Sequence, residues 1–309
     1  MDMVIKTSHI PVPGETVLAG TFFMNPGGKG ANQAVSIARL GGEVIFISKV
    51  GNDVFGKQAF QLFDEEGMNT SYVLSDNELP SGVALITVDQ AGENSIVVAS
   101  GANANLLPDD LKEAEKEIGQ AVMLLMQLEI PMDTVHFAAR FAASKGVRVI
   151  LNPAPMNTLT AELLRYVDVL TPNKTEAEML SGIKVKNIES AKKAAKAIYE
   201  MGVKNVVITM GAAGAVIYQE NKTEVVPARK VKALDSTAAG DVFNGALAVA
   251  LSENKTLTEA VKFACTAAAV SVTRMGAQSS IPYRNELIAG GIIEDINPND
   301  DQDINYFVK

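Results

Sequence analysis

The sequence predicts an α/β protein: a doubly wound, mostly parallel central sheet flanked by helices, with a small β-sheet lid. Three observations lead there. Through the middle of the chain, short apolar runs alternate with stretches of helical length, the pattern of βαβ units joined by right-handed crossovers. The first hundred residues read instead as extended segments and a hairpin, which do not easily join a parallel sheet. The composition, 47% apolar and 20% charged over 309 residues, is that of an ordinary globular chain long enough to bury a real core.

The elements follow in order. Residues 14–28, GETVLAGTFFMNPGG, read as an extended segment, and 82–100, GVALITVDQAGENSIVVAS, as two strands around a polar Gly-containing turn. The lid is therefore drawn from about residues 2–28 and 82–100. AVMLLMQL (121–128) is a buried strand, MDTVHFAARFAASKG (132–146) a helix ending in Gly, and VRVILN (147–152) a second strand. VDVLTPN (167–173) precedes the helix KTEAEMLSG (174–182); IESAKKAAKAIYEMG (188–202) is amphipathic, and KNVVITMG (204–211) is again strand-like. Val242 to Leu251 form an apolar helix. Residues 1–290 are expected to make one α/β domain, with the acidic stretch 291–309 peripheral.

Several function classes are disfavoured. A net charge of −9 argues against a nucleic-acid partner, which needs a basic footprint, but not against an anion held by backbone N–H groups. The single cysteine, Cys265, rules out an intrachain disulfide framework and fits a reducing compartment. No apolar run reaches about 18 residues and the start carries no signal-peptide core, so the expected location is cytoplasmic, with no membrane partner. His9 and His136 lack partners at metal-ligand spacing, and no zinc signature or serine-nucleophile elbow is present. No G-x-G-x-x-G follows a strand, which disfavours a nicotinamide dehydrogenase.

Four stretches carry candidate chemistry. DSTAAGDVFNGALA (235–248) places two alanines, a glycine and Asp241 at the start of an apolar helix. The unpaired first-turn N–H groups and the positive end of the macrodipole suit an anion there; a plain capping acid explains the same residues. NPGGKGANQAVSIARLGG (25–42) has Gly27, Gly28 and Gly30 for close backbone approach and Lys29 and Asn32 for directional contacts, though without Walker spacing; a glycine-rich turn with an exposed lysine explains the same residues. TPNKTEAE (171–178) sets Asn173 and Glu176 on one helix face, where they could meet hydrated Mg²⁺ or phosphate or simply cap the helix. TMGAAGAVIY (209–218) turns at Gly211 and Gly214, as a nucleotide contact or a tight hairpin would. Glu129 follows a buried strand, where ligand-facing acids belong in open α/β sheets, although an acid leading a helix is equally common there.

Together GGKGANQAV, MQLEIP, LNPAP, TPNKTEAE, TMGAAG, DSTAAGDVFNGALA and RMGAQSSIP, in that order, resemble the ribokinase family of sugar kinases over about residues 2–284. The resemblance implies ATP-dependent transfer of a phosphoryl group to the 5-hydroxyl of D-ribose, on a ribokinase-like fold. It implies that Asp241 is the base, with the backbone of Ala238, Ala239 and Gly240 as the anion hole. Asp2, Gly28, Lys29, Gly30, Ala31, Asn32 and Glu129 match sugar-binding positions. Asn173, Thr209, Met210, Gly211, Ala212, Ala213, Gly214 and Gly240 match ATP contacts; Glu176 belongs to the motif tied to Mg²⁺, and Cys265 falls where relatives place another ATP-side residue. Asp235, Thr237, Ser271, Arg274, Gly276 and Ser280 match a monovalent-cation (K⁺) site built mostly of backbone oxygens. A homodimer through the β lid is expected. The helix dipole should lower the Asp241 pKa, tolerable in a loose transition state.

The resemblance departs at the start. Members of the family place a buried strand, ending in a sugar-binding Asn, ahead of the position of Asp2; here Met1 stands there. The expectation is a shortened chain whose sheet lacks that strand, with its four or five buried aliphatics at ~1.5–3 kcal/mol each. Two alternatives stay open: a kinase for another sugar or a nucleoside, and an inactive sugar-binding or regulatory protein.

Overall fold

The structure is a computed structural model that describes residues 1–18 and 20–289; the stretch 291–309, expected to be peripheral, lies outside them. The strands are β1 Asp2–Lys6, β2 Thr21–Asn25, β3 Ile45–Gly51, β4 Asn69–Asp76, β5 Val83–Val88, β6 Asn94–Ala99, β7 Met123–Met126, β8 Arg148–Leu151, β9 Val169–Leu170, β10 Asn205–Thr209, β11 Ala215–Gln219 and β12 Lys222–Val226. The α-helices are α1 Lys29–Arg39, α2 Val54–Glu65, α3 Glu115–Gln120, α4 Met132–Ser144, α5 Ala161–Arg165, α6 Lys174–Ser181, α7 Ile188–Tyr199, α8 Ala239–Ser252, α9 Leu257–Ser271 and α10 Arg284–Ala289.

Six strands form the central sheet in the order β12-β11-β10-β9-β8-β7. β7 to β10 are parallel; β10, β11 and β12 are antiparallel. The antiparallel edge follows from chain length. Only Met210–Gly214 separate β10 from β11, and a parallel crossover needs about a dozen residues or more. Alternate side chains along each strand feed two cores. Val149, Leu151, Val206 and Ile208 pack with α4 and α7; Ile150, Val207 and Ile217 pack with α1, α8 and α9. A sheet covered on both faces is why these strands read as continuous apolar runs.

The small sheet has the order β2-β1-β5-β6. β1–β2 and β5–β6 are antiparallel, and β1–β5 is parallel. Its register, with a side-chain period of 2, turns Asp2, Ala84, Ile86, Ile96 and Val98 to one face, toward a cavity. Ile5, Phe22, Met24, Leu85 and Val97 lie on the other, and all are exposed.

β3 and β4 form a separate parallel pair. Among the described residues no strand joins β3 to β7, and the six-stranded sheet ends at β7. A cavity of about 1790 Å³ is lined by both strands, through Phe46 and Ser48 on one side and Met123 and Leu125 on the other. It opens toward Gly28, Lys29, Glu129 and Asp241. The loops at the carboxyl ends of β7 and β8 and the starts of α1 and α8 thus surround one space, where ligands bind in folds of this kind.

Candidate active site

The helix α8 begins with Ala238 as its N-cap, at φ 59°. This left-handed conformation costs a residue with a Cβ about 1–2 kcal/mol, and it turns the chain into the helix. Of the first amides, that of Ala239 donates to Ser236 O at 3.2 Å, while those of Ala238, Gly240 and Asp241 have no partner among the described residues. Three free donors at the positive end of a 14-residue helix form a site for an anion. Of the amides of Ala238, Ala239 and Gly240, expected to form an anion hole, that of Ala239 is engaged in its own turn and the other two are unpaired among the described residues, as is that of Asp241.

Asp241 is 7% exposed and does not cap its own helix. Its Oδ2 accepts from Asn32 Nδ2 at 2.9 Å and its Oδ1 from Gln33 Nε2 at 3.0 Å. Both donors stand in the first half of α1, whose apolar residues Ala34 and Val35 pack in the same core as Val242 and Ala246 of α8. Burial raises the Asp241 pKa, opposed by the charge of Lys29 and by the hydrogen bonds from Gln33 and Asn32. This corrects the expectation that the dipole would lower it. Loss of hydration outweighs a dipole whose reach is the first turn.

The sugar-motif residues surround Lys29. The carboxylate of Asp2, at the start of β1, packs on Gly27, where a Cβ would collide with it. Glu129 Oε2 accepts from the Lys29 N–H at 2.9 Å. Burial raises the pKa values of Asp2, Glu129 and Glu176, and the positive charge of Lys29 opposes the rise at each. Asn32 Oδ1 is buried with no partner. Gly28, Gly30 and Ala31 line the same cavity. Several acceptors and one ammonium group on one side of this cavity suit a polyhydroxy compound, whose hydroxyls donate and accept.

Asn173 caps α6 and closes a box with Glu176: Glu176 Oε2 accepts from Asn173 N–H and Oε1 from Asn173 Nδ2, both at 2.8 Å. The capping alternative is thus realised, but Glu176 is buried rather than solvated. Thr209 ends β10, Met210 is buried, and Gly211, Ala212 and Ala213 present an exposed turn before Gly214. That turn is also the tight hairpin the sequence left open. Cys265 packs in the core of α9, 8% exposed, and burial pushes its thiol pKa up to about 11. It can contribute apolar wall, not a polar contact.

Asp235 clamps two loops. Its Oδ1 accepts from Thr237 N–H at 2.9 Å and its Oδ2 from Gly276 N–H at 2.9 Å. Ser271 is buried, Ser280 Oγ donates to Ala277 O, and the Arg274 guanidinium is paired with Glu286 at 2.6 Å. Arg274 has only its backbone oxygen to offer a cation. Among the described residues no cluster of His, Cys, Asp and Glu has the make-up of a metal centre.

Residues 1–284 match the pfkB family of carbohydrate kinases. A ribokinase of Haemophilus influenzae is 45% identical over 287 residues, 93% of this chain and 94% of that one. The chain belongs to the pfkB carbohydrate kinase family. Among solved structures, a Thermotoga maritima ribokinase is 41% identical with a TM-score of 0.84, covering 93% of this chain and 95% of that one. An Arabidopsis thaliana ribokinase complexed with ribose and ATP is 33% identical with a TM-score of 0.87, covering 93% and 94%.

In this carbohydrate kinase the site contains residues that sequence reasoning missed. Gln33 (1% exposed), Asn152 and Asn244 are buried polar groups. Gln33 Nε2 donates to Asn152 Oδ1 at 3.1 Å, and Asn152 Nδ2 donates to Thr171 O at 3.1 Å. Thr171 Oγ1 donates to Asn244 Oδ1 at 2.6 Å, and Asn244 Nδ2 to Gly240 O at 2.8 Å. The available signal was a polar residue closing a buried strand (Asn152) or standing on the apolar face of a helix (Gln33, Asn244), since such groups are retained where they are paired.

Proposed function

We propose that the chain transfers the γ-phosphoryl group of ATP to the 5-hydroxyl of D-ribose, giving D-ribose 5-phosphate and ADP. The observation that carries this is the buried Asp241 carboxylate, held by two amides beside the free N–H groups at the start of α8. The proton of the 5-hydroxyl passes to Asp241, the freed oxygen bonds to the γ-phosphorus, and the bond from that phosphorus to the β–γ bridging oxygen breaks to release ADP. The amides of Ala238, Gly240 and Asp241 stabilise charge on the moving group, the main demand of phosphoryl transfer. A raised carboxyl pKa makes Asp241 a stronger base than an ordinary aspartate.

Asp2, Lys29, Asn32 and Glu129 hold the sugar hydroxyls, against the backbone of Gly28, Gly30 and Ala31. Asn173 and the turn Thr209–Gly214 hold the nucleotide. Glu176 fits an outer contact to Mg²⁺, since each of its braced oxygens keeps a lone pair for a metal-bound water; Mg²⁺ supplies charge neutralisation on the phosphates. The backbone oxygens of Asp235, Thr237, Arg274, Gly276 and Ser280, with Ser271 buried beside them, suit K⁺ in being all-oxygen donors on two clamped loops. K⁺ supplies positive charge near the anion hole.

Residues 1–290 act as one domain in which the four-stranded sheet is a lid over the sugar. Its outward apolar residues, Phe22, Met24, Leu85 and Val97, form the interface of a homodimer. Among the described residues no helix is long and apolar enough to cross a membrane, and we assign the protein to the cytoplasm. The deciding experiment is a coupled ADP-release assay over ribose, 2-deoxyribose, other sugars and nucleosides, with and without K⁺. Ribose-dependent turnover raised by K⁺ is expected; turnover with none of the panel refutes the reading. Sedimentation should give a dimer that Leu85→Asp/Val97→Asp dissociates, and a wild-type monomer refutes the interface.

A further inference from the structure

We propose that Gln33 is the positioning residue of the catalytic carboxylate, fixing which oxygen of Asp241 receives the proton; this rests on the reading of Asp241 as the base. The two amides that hold Asp241 differ. Asn32 is half satisfied: its Nδ2 reaches Asp241 Oδ2, but its buried Oδ1 has no partner. It is the group free to trade its bond for a substrate hydroxyl. Gln33 is satisfied at both ends. Its Oε1 accepts from Gln127 Nε2 at 2.5 Å, and its Nε2 donates to both Asn152 Oδ1 and Asp241 Oδ1. Turning the amide over would set its oxygen against two acceptors and its NH₂ against the Gln127 donor. The polarity of Gln33 is thereby locked from β7 and β8. Asp241 Oδ1 stays pinned, and Oδ2 is the oxygen presented to the acceptor hydroxyl.

The test is Gln33→Met, similar in length but without hydrogen bonds. Other charged groups acting with Asp241 are Lys29 and the carboxylates of Asp2, Glu129 and Glu176, none of which the substitution touches. The expected result is a kcat lower by roughly 10- to 100-fold, with KM for ATP within about twofold. The acidic limb of the kcat profile should move to higher pH, because an N–H donated to a carboxylate favours its charged form. A kcat within about twofold of wild type, or an unmoved limb, overturns the proposal. If Gln33→Met does not fold, Gln33→Glu keeps the shape of the side chain and sets an acceptor against Asp241 Oδ1 in place of the N–H donor. It should move the limb in the same direction, and an unmoved limb overturns the proposal. Titration of the ¹³C-labelled Asp241 carboxyl, assigned with Asp241→Asn, needs no substrate. It therefore decides the role of Gln33 even if wild type proves to have no kinase activity. A midpoint raised in Gln33→Met supports the proposal; an unchanged one refutes it.

Discussion

The substitution Gly245→Ala tests how closely α1 and α8 must approach for the site to exist. A Cβ on Gly245 would stand 2.5 Å from Ser36 Cβ, 2.6 Å from Ser36 Oγ and 2.9 Å from Gln33 O. Carbon atoms prefer about 3.5–4.0 Å, so the helices must separate by roughly 1 Å. Overpacking of this kind costs about 1–3 kcal/mol, offset by about 1 kcal/mol from replacing a mid-helix glycine. The net loss is at most about 2 kcal/mol, a melting temperature lower by a few degrees. Activity should suffer more. The same separation stretches the bonds from Asn32 and Gln33 to Asp241, now 2.9 and 3.0 Å, beyond hydrogen-bond range. A misplacement of about 1 Å costs on the order of 10²-fold in rate. Initial-rate ADP release and a thermal melt on the purified variant measure both, and Ser36→Gly/Gly245→Ala should recover part of the loss. Wild-type kcat and melting temperature in Gly245→Ala would refute the argument that this crossing sets the site.

Two further outcomes follow from buried groups. The Asp76 carboxylate accepts from Asn105 Nδ2 at 2.6 Å and from the N–H groups of Glu78 and Leu79 at 2.8 and 2.9 Å, which hold its pKa at about 2. Its folded value lies below the unfolded value of about 3.9, so its contribution is present above pH ~4 and lost as pH falls through about 2. Asp76→Asn should flatten the acid dependence of the urea midpoint in that window, and an unchanged slope would count against it. Cys265, with its thiol pushed up to about 11, should resist a disulfide reagent at pH 8 in the native protein and react fully once unfolded. Rapid native labelling would contradict its placement in the core.

Elements whose signal is local were legible. The helices α4, α6 and α7 and the β5–β6 hairpin stand where apolar spacing and turn residues put them. So do the glycines and Asp241 at the starts of α1 and α8, because backbone approach and anion binding require those residue types in a short span. The pairing of distant side chains was not legible. Asp241 meets Gln33 across 208 positions and Gln33 meets Asn152 across 119, separations that only the fold closes. The direction of the Asp241 pKa is not legible in the sequence for the same reason. A helix start can be read from sequence, but the burial that outweighs its dipole depends on α1 packing over it. β3 and α2 place half-buried residues such as Phe46, Ile47, Ser48, Ala59 and Leu62 along the cavity, which blurs the periodicity that marks a strand or a helix.

The most direct test of the account is the turnover of Asp241→Asn, measured with ribose and ATP beside calorimetric titration of ATP. The substitution keeps the shape and the amides at the start of α8 but removes the proton acceptor. The account predicts a kcat lower by about 10²–10⁴-fold with ATP affinity nearly unchanged. Full turnover in this variant would contradict it.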